Sequence, residues 1–138
     1  MRPAVSYLAF DYGTRRVGVA SGNTVLGRAQ PLRTVAAEGE QRFAAIALLV
    51  AEWRPDALVV GVPFHPDGAA HDNTRRAQRF ARQLHGRLKL PVHEVDERYT
   101  TTEALANARD GGEIDADAAA AALILDQFLR GLPNHAEA

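Results

Sequence analysis

The sequence predicts an α/β fold: a five-stranded mixed sheet, its early strands an antiparallel hairpin and its later ones parallel, flanked by helices. Three observations predict it. Ala4–Phe10 and Val17–Ser21 are short β-type runs joined by a tight polar connection rich in Gly, Thr and Arg, the composition of a hairpin turn. Ala57-Leu58-Val59-Val60-Gly61-Val62 is a continuous apolar run, as a strand buried on both faces requires. A helical stretch separates the two, which implies a right-handed crossover and therefore parallel pairing.

The elements follow in order. After the hairpin, Val25–Ala29 and Leu32–Val35 read as a third strand region bent at Pro31. From Glu38 the period turns helical: Phe43, Ile46, Ala47, Val50 and Trp53 form one apolar stripe, and Pro55 stops it. Pro63–Ala70, beyond the central strand, is a Pro/Gly/Asp loop. The next helix spans roughly Asp72–Leu88, burying Ala77, Phe80, Ala81, Leu84 and Leu88, with Arg75, Arg79 and Arg82 on another face. Pro91–Val95 is a short last strand ending at Asp96-Glu97-Arg98-Tyr99. Thr100 or Thr101 can N-cap a helix through about Arg109, with Glu103 placed for a capping box, and Asp110-Gly111-Gly112 ends it. A final helix runs from about Asp115 to Arg130, and Asn134–Ala138 reads as a loose tail. With no repeat and no second boundary, residues 1–138 read as a single domain.

Composition bounds the function. Apolar content of 46% and charged content of 24% are those of an ordinary soluble globular protein. The absence of cysteine removes disulfides, thiolate nucleophiles and Cys-based zinc sites, and suits a reducing cytosol. Met1–Ala4 opens no signal peptide and no apolar run reaches membrane-spanning length, so the expectation is a cytoplasmic protein without membrane partners. A net charge of −1 does not announce nucleic-acid binding. Nearly every cation is Arg, Lys89 being the one lysine; Arg suits phosphate, although a GC-rich coding preference yields the same bias.

The chemistry lies in the carboxylates. Asp11 ends the first apolar run, where an ionised carboxylate is costly unless it is paired, hydrogen-bonded or bound to metal; its plainer role is to cap the turn. Carboxyl ends of strands in α/β sheets form the ligand crevice. Asp117 leads Ala121, Ile124, Leu125 and Phe128 at helical spacing, so it lies on the face turned toward the sheet. Asp115 is out of phase with that face, and either acid could serve as an N-cap or first-turn acid. Asp96 and Glu97 end their strand much as Asp11 ends its own. Asp11, Glu97 (or Asp96) and Asp117 could therefore converge on one rim, where mutual repulsion raises pKa values unless divalent cations are present. Oxygen-only ligands suit Mg²⁺ or Mn²⁺, and two such ions roughly 3.5–4 Å apart can drive phosphodiester hydrolysis.

Asp11-Tyr12-Gly13-Thr14 followed by Val17-Gly18 fits the pattern D-x-G-T-x-x-[hydrophobic]-G, which opens both nucleases and sugar-kinase/actin-type ATPases built on an RNase H-like core. The ordered set L-A-F-D-Y-G-T-R-R-V-G-V-A, V-V-G-V-P-F-H-P-D-G, D-E-R-Y-T-T-T-E-A and D-A-A-A-A-A-L-I-L-D-Q-F-L closely resembles the YqgF (RuvX) family, over about Tyr7 to Leu129. The resemblance implies an RNase H-like fold and a metal-dependent nuclease of 16S rRNA 5′-end maturation, with Mg²⁺ or Mn²⁺ as cofactor. It implies a ribosomal RNA precursor as partner and branched DNA as a further substrate. Carried over by position, Asp11, Glu97 and Asp117 are the catalytic and metal-holding acids. Where the family usually has Lys two positions before the last acid, this chain has Asp115, which makes Asp115 a candidate extra ligand and leaves the assignment between Asp115 and Asp117 open. Asp96 is the corresponding alternative to Glu97. The Pro63–Gly68 loop, with Asp67, resembles the family's G-L-P-x-N-x-D-G loop and is read as a substrate contact, His65 standing where Asn is common.

On this reading Arg15, Arg16, Arg98 and the Arg75–Arg82 face contact phosphates, while Gly13, Thr14, Thr100 and Thr101 supply further substrate contacts. His65, His71 and His93 lack zinc-site spacing and are assigned surface or packing roles. Two other classes compete. A sugar-kinase/actin-type phosphotransferase needs two such domains. A non-catalytic nucleic-acid-binding or ribosome-assembly module would bind RNA with or without the acids and ignore Mn²⁺. A monomer or a homodimer is compatible with the sequence, symmetric cutting of a junction calling for the dimer.

Overall fold

The computed structural model describes residues 4–97 and 115–132. Along them run β1 (Ser6–Tyr12), β2 (Val17–Asn23), β3 (Ala29–Val35), α1 (Gly39–Trp53), β4 (Ala57–Val62), α2 (Asp72–Leu88), β5 (Val92–Asp96) and α3 (Ala116–Gly131). The strands form one sheet in the order β3-β2-β1-β4-β5. Both hairpin pairings are antiparallel, and β1–β4 and β4–β5 are parallel, as expected from the crossover helices.

Side-chain alternation along β1 divides the core. Leu8 and Phe10 point to the side covered by α1 and α2, among Ile46, Leu49, Ala77, Phe80 and Leu84. Tyr7 and Ala9 point the other way, under α3, with Val59, Ile124, Leu125 and Leu129. Asp11 continues the Tyr7–Ala9 row. Every residue of β4 is buried, which accounts for its unbroken apolar run. The predicted α2 is found at its expected bounds. Its N-cap is His71, whose Nδ1 accepts from the Asn73 N–H at 3.1 Å. His93 packs edge-on to Tyr7 and against Phe128.

Two expectations are corrected. Val25 and Leu26 belong to a turn, not to a strand, and are 75% and 64% exposed. The Asn23 Oδ1 accepts from the Leu26 N–H and Gly27 adopts φ 68°, so Asn-Gly turn chemistry outweighs the apolar side chains. The strand begins at Ala29, whose N–H donates to Asp126 on α3, and Pro31 sits in the edge strand, where the sheet tolerates it. On α1 the buried row is Arg42, Ile46 and Leu49, with Ala47 and Trp53 exposed. The reason is Arg42: its Nε donates to the Ala37 carbonyl and its Nη2 to the Thr14 carbonyl, so this cation takes an inward position. The predicted helix from Thr100 or Thr101 and the tail 134–138 lie outside the described residues.

Candidate active site

Pairing register builds the site. Asp11 on β1 stands opposite Gly18 on β2 and Gly61 on β4. Gly18 in turn pairs with Thr34 on β3, and Gly61 with Val95 on β5. Paired residues share a sheet face, so Thr34, Gly18, Asp11, Gly61 and Val95 form one row on the α3 side. Glu97 lies two residues beyond Val95, just past the end of β5.

The two glycines beside Asp11 make the room. A Cβ on Gly18 would overlap the Asp117 carbonyl at the start of α3. A Cβ on Gly61 would lie 2.6 Å from Glu97 Oε1. Each missing side chain is the space through which another acid-bearing segment reaches Asp11. An isolated glycine within a strand often marks such an approach. Gly18 and Gly61, each within a strand, carry that signal in the sequence.

Asp11 and Glu97 meet carboxyl to carboxyl. Burial, above all, raises the Asp11 carboxyl; the hydrogen bond with Glu97 opposes the rise and the nearby Asp117 charge adds to it. Burial likewise leads for Glu97, with the Asp11 contact and the charges of Asp11 and Asp96 pushing it up to about 9. Glu97 Oε1 is buried and has no hydrogen-bond partner among the described residues. Two carboxyls so placed share a proton or a cation.

Asp117 stands alongside. Its Oδ2 is 3.2 Å from the Arg16 Nε and 3.5 Å from the Thr34 hydroxyl. Asp115 is the N-cap of α3: one oxygen accepts from the Asp117 and Ala118 N–H groups and from Thr34. Burial works against ionisation of Asp115, but the Thr34 and backbone hydrogen bonds, with Arg16 nearby, hold its carboxyl below the usual range. Gly13, Thr14, Arg15, Arg16 and Asp117 line an open hollow of about 490 Å³. Among the described residues, no three Asp, Glu or His side chains already stand in ligating geometry. The structure thus gives a proton-sharing pair with a third acid counter-charged by Arg16.

The other expected residues are dispersed. Asp96 ends β5 and faces away from the Glu97 row by alternation. Asp67 accepts from the Ala69 N–H and shapes its own loop. Arg75 pairs with Asp72 at 3.7 Å on exposed helix surface. Arg98, Thr100 and Thr101 lie outside the described residues. Thr34 and Arg42, which no motif in the sequence singles out, both touch the site's framework.

The raised Glu97 has a consequence for metal-free protein. Its folded value lies above its ordinary 4.5, so between that value and about 9 the folded state keeps a proton that the unfolded state has lost. Stability therefore falls as pH rises through that window, by at most about 1.4 kcal/mol per unit. Glu97→Gln is expected to flatten the slope and to melt higher than wild type at pH 8 in EDTA. Equal slopes from thermal melts at pH 6 and pH 8 would count against the buried pair.

A family model for RuvX, described as Holliday junction resolvase, matches residues 5–131. A protein of Albidiferax ferrireducens named "Putative pre-16S rRNA nuclease" is 65% identical over 127 residues, covering 92% of this chain and 79% of that one. A Paraburkholderia phytofirmans protein of the same name is 56% identical over 133 residues, covering 94% and 91%. Among solved structures, T. thermophilus RuvC in complex with Holliday junction substrate aligns with TM-score 0.57 at 18% identity, over 91% of this chain and 95% of that one. That likeness is one of fold, and the fold is RNase H-like.

Proposed function

This chain belongs to the RuvX, Holliday junction resolvase, family, and we propose that it is a divalent-metal-dependent nuclease that trims the 5′ end of pre-16S rRNA in the cytoplasm. The observation that carries the reading is the Asp11–Glu97 carboxyl contact at the strand ends, with Asp117 beside it and Glu97 Oε1 buried without a donor among the described residues. An oxygen-only set with an unsatisfied buried oxygen fits Mg²⁺ or Mn²⁺. Asp11, Glu97 and Asp117 would hold the ion. When bound, it would supply an activated water and stabilise the leaving oxygen of a phosphodiester.

The chain's own groups do the rest. Arg16 neutralises Asp117, and its exposed guanidinium would donate to a substrate phosphate beside the acids. Arg15 and Thr14, on the same exposed loop, extend that contact. Asp115 keeps the first turn of α3, and hence Asp117, in place through its cap. Phosphate contacts position a strand without reading its sequence, so selectivity would come from RNA shape. The relatives' name favours ribosomal RNA; the family model's description favours branched DNA as a second substrate.

The test is cleavage of a 16S-precursor fragment, and of a four-way DNA junction, with Mn²⁺, with Mg²⁺ and with EDTA. Cutting of the RNA that either metal supports and EDTA abolishes is the expected result. Tight binding that ignores metal, without cutting, would replace the nuclease reading with that of an assembly module. Cutting of the junction alone would move the substrate to DNA and call for a dimer.

A further inference from the structure

On the other side of the Gly13–Arg16 loop, a cavity of about 340 Å³ opens between α1 and α2. Its wall includes Tyr12, Thr14, Arg42, Arg76, Arg79 and Phe80, and Glu38 is the one acid among its lining residues. Three guanidiniums against one exposed carboxylate make it strongly positive, in a protein whose net charge is −1. Thr14 lines this cavity and also the hollow beside Asp117, so the two are opposite sides of one loop.

Arg42 is the unusual member. It is only 5% exposed and holds the Ala37 and Thr14 carbonyls, with its guanidinium 5.5 Å from the Tyr12 ring centre. No ion pair to a carboxylate neutralises it among the described residues. A buried cation left without its counter-charge is costly, and an anion in the cavity would supply one. Arg79 has no hydrogen-bond or ion-pair partner among the described residues, and Arg76 makes a single bond, to Asn73 Oδ1. Both are exposed at the mouth. The neighbouring arginines of α2 are turned elsewhere: Arg75 pairs with Asp72, and Arg82 lines a separate hollow with Val92 and Glu94.

We propose that this cavity is a second polynucleotide subsite, in which Arg76 and Arg79 grip the backbone phosphates of the strand that flanks the scissile bond, over the field of Arg42. The proposal rests on the reading of the chain as a nucleic-acid enzyme and adds the side of the loop away from the acids. It places the working arginines of α2 at 76 and 79. It also makes Arg42 a positioning residue, since it ties the loop bearing Arg15 and Arg16 to α1.

The test uses full-length Asp11→Asn protein, so that the nucleic acid survives, and measures affinity against salt for the 16S-precursor fragment and for the four-way DNA junction. In that background Arg76→Ala with Arg79→Ala is compared with Arg28→Ala plus Arg130→Ala, the same charge change at the opposite end of the sheet. Losing two phosphate contacts should lower the slope of log affinity against log salt by about 1.4 on single-stranded segments. Between about 50 and about 200 mM salt the parent would then lose about sevenfold more affinity than the variant. In the Asp11 enzyme the same pair of changes should raise KM and spare kcat. A slope equal to the parent's, or an equal fall in the control, overturns the proposal. A slope change for one nucleic acid alone assigns the subsite to that polymer. If the slope changes as expected but Asp11 enzyme never cuts, the nuclease reading fails and the subsite stands.

Discussion

Asp11→Asn is expected to leave affinity for a 16S-precursor fragment within about twofold of wild type and to slow its cleavage by at least about 10³-fold, equivalent to some 4 kcal/mol of lost transition-state stabilisation. The amide keeps the carboxylate's shape and removes its charge, so the row of residues on the sheet is preserved while the proposed metal-holding set loses one carboxylate. It also removes the repulsion with Glu97, so the metal-free fold should not suffer. Asp117→Asn should behave alike, losing cleavage but not binding. Asp115→Asn should not, because Asn caps a helix about as well as Asp. Side-by-side cleavage and binding measurements decide it. If Asp115→Asn abolishes cutting and Asp117→Asn does not, the assignment of the last acid is reversed; if Asp11→Asn still cuts, the site itself is wrong.

Gly18→Ala is the second large effect. The added methyl would overlap a backbone carbonyl at the head of α3, and backbone cannot swing aside as a side-chain tip can. Either α3 shifts off the sheet or β2 bends. A loss of at least about 3 kcal/mol follows, seen as a fall of about 10 °C in melting temperature. Gly61→Ala should differ in kind. Its methyl meets Ile124 Cδ1 and the Glu97 carboxyl, both ends of side chains, so about 1 kcal/mol of stability is lost but Glu97 is pushed away from Asp11. Melts and cleavage rates on both variants separate the cases. A Gly18→Ala protein that melts like wild type would contradict the close approach of α3.

What could be read from the sequence was whatever depends on period and punctuation. The all-apolar run of β4, the bounds of α2 and the inward face of Asp117 are consequences of side-chain alternation and helical spacing, which are local. The acids at strand ends were legible for the same reason, since polarity at the end of an apolar run is conspicuous. Arg42 was not legible. A lone arginine in a helix reads as solvated, and only its distant partners, the Thr14 and Ala37 carbonyls, make the inner position tolerable. Val25–Leu26 departs from expectation for the opposite cause: their apolar side chains suggest a strand, but the Asn23 and Gly27 turn chemistry beside them prevails. The pairing of Gly18 and Gly61 with Asp11 is set by strand order, and no single stretch of sequence contains that.

Among the described residues, helix α3 is what covers the Tyr7–Ala9–Val59 face, and it follows β5 along the chain. A ribosome that has made the chain through Glu97 has therefore delivered Asp11 and Glu97 but neither Asp117 nor the helix that packs on that apolar face. The Asp11–Glu97–Asp117 set is completed only when α3 docks, in the same event that buries that face. Assembly of the three acids and burial of that face thus coincide in time, and a chain halted short of α3 would lack both the third acid and the helix that packs there.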